Sequence, residues 1–167
     1  MSAGTFTRRI FTGRVAALLS AAGLSTAALA GKAEAKTNDK GVVKLGSDGK
    51  PSDPKSFIAP VVIHNGLAYV AGQGAHDTLP QEQWEIGHHT TIVMDNLKKL
   101  VEIGGGTMDS VVQCGVFLAD IKHYDGMNAV FKTYFPNGGP ARTTVAVAAL
   151  PGNSLVEVNC IAAVVKK

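Results

Sequence analysis

The chain has 167 residues, of which 46% are hydrophobic and 17% charged, so it can bury a core and is not compositionally disordered. This length suits one domain of ordinary size rather than two. The formal net charge is +3, yet residues 56–167 hold 7 basic and 9 acidic side chains. A general nucleic-acid binder needs a basic surface to displace counterions, so this balance argues against that class.

The N-terminal segment has the pattern of an export signal. Arg8 and Arg9 precede an Ala/Leu-rich stretch at 15–29, and small-residue cleavage patterns follow at 28–30 and 33–35. The arginine pair followed by Phe11 resembles a twin-arginine signal. The stretch is shorter than the ~20 residues of a spanning helix, which disfavours a membrane anchor. We expect residues 1–35 to be a signal peptide, 36–55 a polar linker, and the mature protein to be periplasmic and free of the membrane.

Residues 56–167 form the predicted folded part. Its first half, up to residue 106, predicts a hairpin and then a helix. Two β-type runs, Phe57–His64 and Leu67–Gln73, flank Asn65-Gly66, and these two residue types tolerate the positive φ of a two-residue type I′ turn. From Ile86 to Ile103 the apolar residues recur at helical spacing. Three consecutive glycines at 104–106 then end the predicted helix.

The second half predicts a strand, a helix and two more strands. Their ranges are Val111–Leu118, Met127–Phe135, Thr143–Leu150 and Leu155–Val165. Helices between strands require crossovers, so we expect a mixed sheet in the order β-β-α-β-α-β-β, with both helices on one face. On the last strand one face combines Glu157 and Asn159 with Ile161, which suits an oligomer interface that also forms a polar pocket.

Two charged residues are candidates for chemistry. Arg142 is the only arginine after residue 35, and its planar guanidinium can bind a carboxylate through two parallel hydrogen bonds. Glu157 interrupts an apolar strand, where a carboxylate must be paired, hydrogen-bonded or protonated, and it could activate a water molecule. Structural roles remain open for both residues, including an ion pair between them.

Cysteines and histidines give no further site. Cys114 and Cys160 lie in apolar strand-like runs without a C-x-x-C motif, so two buried free thiols are favoured over one disulfide. Five histidines show no metal-ligand spacing; His88 and His89 are adjacent and would diverge on a helix. We therefore expect no metal ion.

Several segments carry a family resemblance. Residues Pro140–Pro151, followed by Val156–Val158, resemble the signature of the RidA/YjgF family of enamine/imine deaminases. Tyr69–Gln73, Asp95–Leu97 and Asn128–Pro136 resemble further segments of that family. The resemblance spans roughly residues 57–165, which is nearly all of the predicted folded part.

The resemblance implies a fold, an assembly and a reaction. The fold would be α+β and chorismate-mutase-like, assembled as a homotrimer whose three sheets form a barrel with a substrate pocket at each subunit junction. Family members hydrolyse small 2-imino and enamino acids to 2-keto acids and ammonia, without a metal or organic cofactor. By position, Arg142 would bind the substrate carboxylate and Glu157 the hydrolytic water. The backbone at Gly72 and Thr144 would add hydrogen bonds, and Asn128 would also contact the substrate.

The chain departs from the family pattern at three positions. Many members have a tyrosine in the first strand that closes over the substrate, whereas this neighbourhood holds Phe57 and Ile58. Ala71 stands where a serine is frequent, and Thr144 where a cysteine is frequent. The alternative hypothesis is therefore a trimer of the same fold that binds small carboxylates, or protects proteins, without turnover.

Overall fold

The computed structural model describes residues 41–76 and 83–165. The first part forms three antiparallel strands, β1 (Val43–Leu45), β2 (Val61–His64) and β3 (Leu67–Gly74). Between β2 and β3, Asn65 and Gly66 have φ angles of 51° and 76°. These are left-handed values, as a type I′ turn requires, so the predicted hairpin is confirmed.

Two helices and three more strands follow. They are α1 (Ile86–Ile103), β4 (Val111–Leu118), α2 (Tyr124–Phe131), β5 (Ala141–Ala146) and β6 (Val156–Ala163). The six strands form one sheet in the order β1-β2-β3-β6-β4-β5. Only β4 and β5 pair in parallel, because α2 carries the chain back across the sheet between them. The mixed sheet with two helices confirms the expected α+β class.

One face of the sheet carries the core. On β6, Val156 and Val158 are fully buried, and so are Leu97 and Val101 of α1, which lie one helical turn apart. Burying a side chain of this size stabilises the fold by about 2 kcal/mol. The helices are therefore held to the sheet by a periodic apolar stripe, with one face of each strand beneath them.

The opposite face, which we call the open face, is accessible in the single chain. Glu157, Asn159 and Ile161 alternate along β6 with the buried residues and so point away from the helices. Tyr69 of β3 keeps 40% of its surface exposed on this side. A hollow of about 410 Å³ lies here, bordered by Tyr69, Gln113, Phe117, Asn159 and Ile161 among others.

The structure corrects the bounds of several predicted elements, including the second helix, predicted over Met127–Phe135 and observed over Tyr124–Phe131. Residues 43–45, expected within a linker, form the edge strand β1 because Val43 and Leu45 pair with β2. The strand expected from Phe57 begins at Val61, after Pro60, whose carbonyl accepts a hydrogen bond from Ala71 N at 3.0 Å. The strand expected to reach Leu150 ends at Ala146.

The expected signal peptide and the first residues of the expected linker lie outside the described residues. Within 41–76 and 83–165, no helix is long and apolar enough to cross a membrane.

Candidate active site

Arg142 lies on the helix side of the edge strand β5. Its partner in the parallel ladder is Cys114, which is fully buried beneath the helices, so both side chains point to that face. The guanidinium carbon stands 4.7 Å from the centroid of the Phe131 ring and 5.8 Å from that of Tyr124. Two aromatic rings of α2 therefore hold the cation by cation–π contact.

The remaining contacts of Arg142 are weak. Its Nη2 donates to Tyr124 Oη at 3.5 Å, and its Nη1 lies 4.0 Å from the sulfur of Met127. None of the ion pairs among the described residues involves Arg142. A half-buried guanidinium without a carboxylate keeps most of its donors available for an anionic ligand.

A hollow of about 320 Å³ opens beside this guanidinium, and we call it the Arg142 hollow. Two buried aromatic rings, a loop and two cationic side chains border it: Phe131, Phe135, Gly139, Pro140, Lys132 and Arg142. The apolar walls lower the local dielectric, which strengthens the attraction between a bound anion and the guanidinium. Such a site suits a small carboxylate.

Glu157 occupies a different place. It lies half-buried on the open face of β6, between the inward-pointing Val156 and Val158. Its carboxylate rests on the backbone of Gly72 in β3, where an added Cβ would overlap the Glu157 Oε1 atom. Gly72 thus allows a close approach that any larger residue would prevent.

The backbone around Gly72 leaves the regular ladder. The pairing of β3 with β6 shifts register between Val70 and Gln73, which makes a bulge that includes Gly72. Bulges free backbone groups from the ladder and redirect side chains, and they are frequent beside active sites. A hollow of about 280 Å³, which we call the Gly72 hollow, lies here; it is bordered by Ile58, Pro60, Ala71, Gly72 and Gln73, with Asn96, Lys99 and others.

The structure does not bring Arg142 and Glu157 together within one chain. β4 separates β5 from β6 in the sheet, and the two side chains leave the sheet on opposite faces. An ion pair between them, one of the structural roles left open, is thereby excluded in the single chain. Each chain instead presents two half-sites, one with the cation and one with the carboxylate.

Only some of the other expected site residues border one of the two hollows. Ile58 and Ala71 border the Gly72 hollow, while Phe57 is 96% exposed just outside it. Thr144 lies two residues beyond Arg142 on the same face, and its buried Oγ1 has no hydrogen-bond partner among the described residues. Asn128 is half-buried on α2 and borders neither hollow.

The sequence analysis did not predict a functional role for three residues near Arg142. Tyr124 and Phe131 contact its guanidinium, and Phe131 and Lys132 border the hollow. Tyr124 and Phe131 are seven residues apart, so they share one face of α2, which is a readable signal for a joint aromatic surface. No sequence pattern indicated that this surface would meet an arginine from β5.

The two cysteines are buried free thiols, as favoured. Burial raises the pKa of Cys114 to about 12, against a smaller lowering effect of the nearby Arg142 charge, and burial likewise raises the pKa of Cys160 to about 12. Protonated thiols are poor nucleophiles. Neither cysteine therefore suits covalent catalysis near neutral pH.

The described residues contain no group of three or more His, Cys, Asp or Glu side chains that could hold a metal ion.

Comparison with known proteins shows the family to which the chain belongs. The model of the family described as Endoribonuclease L-PSP matches residues 50–164. The chain belongs to this family, which is also the RidA/YjgF family. The sequence resemblance to RidA/YjgF proteins is thereby confirmed.

Individual relatives agree with that membership. A RutC family protein of Saccharolobus solfataricus is 39% identical over 115 residues, which cover 68% of this chain and 89% of the relative. A crystal structure of an L-PSP protein from Entamoeba histolytica superposes with a TM-score of 0.63 at 35% identity, covering 73% of this chain and 98% of that one. The YjgF gene product of E. coli, at 23% identity and a TM-score of 0.62 over 72% of this chain and 97% of its own, shares the fold.

Proposed function

We propose that this RidA/YjgF family member hydrolyses small 2-imino and enamino acids to 2-keto acids and ammonia. The observation that carries the proposal is the guanidinium of Arg142, which two aromatic rings hold beside an open hollow with no carboxylate partner among the described residues. A 2-imino acid always carries a carboxylate next to the reacting carbon. Arg142 would bind that carboxylate through two hydrogen bonds and so fix the imine in place.

We propose that the reacting centre forms between two copies of the chain in a homotrimer. The open face supports this, because its exposed Tyr69 and partly accessible Phe117 and Ile161 need a partner surface. A copy packed there would cover the carboxylate half-site, and Arg142 of one copy would face Glu157 and Gly72 of the next. Neither half-site would then act alone.

In the proposed reaction, Glu157 accepts a proton from a water molecule as its oxygen bonds to the electrophilic imine carbon. Glu157 passes this proton to the nitrogen, so the carbon carries a hydroxyl and an amino group. Glu157 then accepts the hydroxyl proton and passes it to the nitrogen as well, the carbon–nitrogen bond breaks, and ammonia leaves. The carbon keeps the oxygen and becomes a ketone. The backbone at the Gly72 bulge would orient the water and the nitrogen, and Ile58 would shield them from bulk solvent.

A second candidate is a trimer that binds 2-keto or imino acids without turnover. The specific observation for it is Ile58, 54% exposed beside the Gly72 hollow, in the neighbourhood where many family members carry a tyrosine. An aliphatic side chain shields a substrate but donates no hydrogen bond. The Arg142 hollow would still bind a carboxylate in this case.

One experiment separates the two candidates. Imines are generated in the cuvette by an amino-acid oxidase, and ammonia release is measured with and without the protein, while calorimetry measures the binding of 2-keto acids. Faster ammonia release supports the deaminase. Binding without faster release supports the binding protein, and the absence of both contradicts the two candidates together.

We also propose that the protein is exported to the periplasm, which the arginine pair and apolar stretch of residues 1–35 support. Fractionation of cells that express the native chain and a chain with Arg8 and Arg9 changed to Lys tests this. A native protein that stays in the cytoplasm at full length would contradict it.

A further inference from the structure

A second cationic residue, Lys132, borders the Arg142 hollow. Lys132 follows α2 directly and borders the hollow together with Arg142 and the rings of Phe131 and Phe135. No ion pair among the described residues involves Lys132, and none of the side chains that border the hollow is acidic. Two cationic residues thus border a hollow of about 320 Å³, and none of the described residues beside it is acidic.

One carboxylate does not account for both cations. The guanidinium fork of Arg142 matches a single carboxylate through two donors. The ammonium of Lys132 is a compact point charge on a flexible stem, and it remains available once that carboxylate is bound. A ligand with two anionic groups could bind both cations at once.

We infer that the preferred substrate is a dicarboxylic 2-imino acid, with Arg142 binding the carboxylate next to the imine carbon and Lys132 the carboxylate at the end of the side chain. This inference rests on the proposed deaminase function for its kinetic part. Lys132 is then a specificity-determining residue, because it contacts a group that monocarboxylic imines lack. The apolar floor of Phe131 and Phe135 would pack against the short chain between the two carboxylates.

The test compares imines of aspartate and alanine, generated by oxidases, as a ratio of kcat/KM values. We expect the wild-type ratio to favour the dicarboxylic imine, and Lys132→Met to lower the ratio about tenfold, equal to about 1.4 kcal/mol. Lys132→Arg should retain most of the preference, since it keeps the charge. Lys44→Met, at an exposed lysine of β1 that borders neither hollow, should leave the ratio unchanged.

Three outcomes would overturn the inference. The first is a wild-type kcat/KM that is higher for the alanine imine, and the second is a Lys132→Met protein with the wild-type ratio of kcat/KM values. The third is a preference for the dicarboxylic imine that is lost in Lys99→Met but kept in Lys132→Met. Lys99 is the comparison because it borders the Gly72 hollow instead. Calorimetry with oxaloacetate and pyruvate keeps the test independent of turnover. If no imine is hydrolysed, the proposed deaminase fails, yet tighter oxaloacetate binding that Lys132→Met removes would still support the dianion site. Equal binding of both keto acids would reject it.

Discussion

The Arg142 hollow and the Gly72 hollow differ in their walls and in the charges beside them. The first lies on the helix side of an edge strand, has aromatic walls and is bordered by two cationic residues. The second lies at the bulge of β3 and is bordered by Asn96 and Lys99 of α1, while the carboxylate of Glu157 contacts Gly72 from the open face. In the proposed reaction, the first binds the substrate carboxylate, and Glu157 beside Gly72 positions the water. The lesson is that one chain holds the cation and the carboxylate on opposite faces of its sheet, so the proposed site requires two copies.

The largest loss of activity is expected when Glu157, the proposed proton acceptor, is changed. Glu157→Gln keeps the shape but cannot accept a proton, so we expect kcat to fall about 1000-fold with little change in KM. Glu102→Gln is the control, because this exposed carboxylate of α1 borders neither the Gly72 nor the Arg142 hollow. Steady-state ammonia release measures both. A Glu157→Gln protein with wild-type kcat would remove Glu157 from the mechanism.

The second-largest loss of activity is expected when Arg142, the proposed carboxylate-binding residue, is changed. Arg142→Ala removes the carboxylate contact, and we expect kcat/KM to fall about 100-fold. Arg142→Lys should restore little, because an ammonium cannot form the paired hydrogen bonds of a guanidinium. The oligomeric state, measured by light scattering, should stay that of wild type. Full activity in Arg142→Ala would contradict the assigned role.

The contact between Gly72 and Glu157 gives a smaller effect. In Gly72→Ala the new Cβ would overlap Glu157 Oε1, so the carboxylate must move, and we expect kcat to fall about tenfold. Gly87→Ala is the matched control, since its nearest neighbour would be Val130 Cγ2 at an ordinary 3.8 Å. If both variants kept wild-type kcat, the position of the carboxylate would not matter.

The last prediction concerns the two buried cysteines. It tests the packing of the core beneath Arg142 and not the activity. With the pKa values of Cys114 and Cys160 raised to about 12, both thiols should resist a disulfide reagent at pH 8 in the folded protein and react rapidly in denaturant. Both pKa values lie above the unfolded value of 9.0, so stability should be full below pH 9 and fall as the pH rises towards 12. Rapid labelling of the native protein would show that the core beneath Arg142 is open.

The sequence predicted most of the fold because its signals are local. The bounds of α1 and β4 follow from apolar periodicity and from the glycines after Ile103, and the hairpin follows from Asn65-Gly66. The linker reading missed β1, since three residues without a strong pattern become a strand only when β2 pairs with them.

The candidate site was predictable in its residues but not in its arrangement. Arg142 and Glu157 could be named from composition and strand context. The face of the sheet on which each side chain lies depends on the registers of β5 and β6 against β4. Local sequence does not determine how strands pair across the sheet. Lys132 could not be predicted for the same reason. Its proposed role depends on the packing of the end of α2 against the loop before β5.

The most direct test of the central claim, a site completed by two copies, mixes two inactive variants. Arg142→Ala and Glu157→Gln chains with different tags are co-expressed, and the doubly tagged oligomers are purified and assayed. Every trimer that carries both tags has both groups intact at one of its three subunit junctions, so we expect about one third of the wild-type activity to return. Mixed oligomers that are no more active than either variant alone would contradict the shared site.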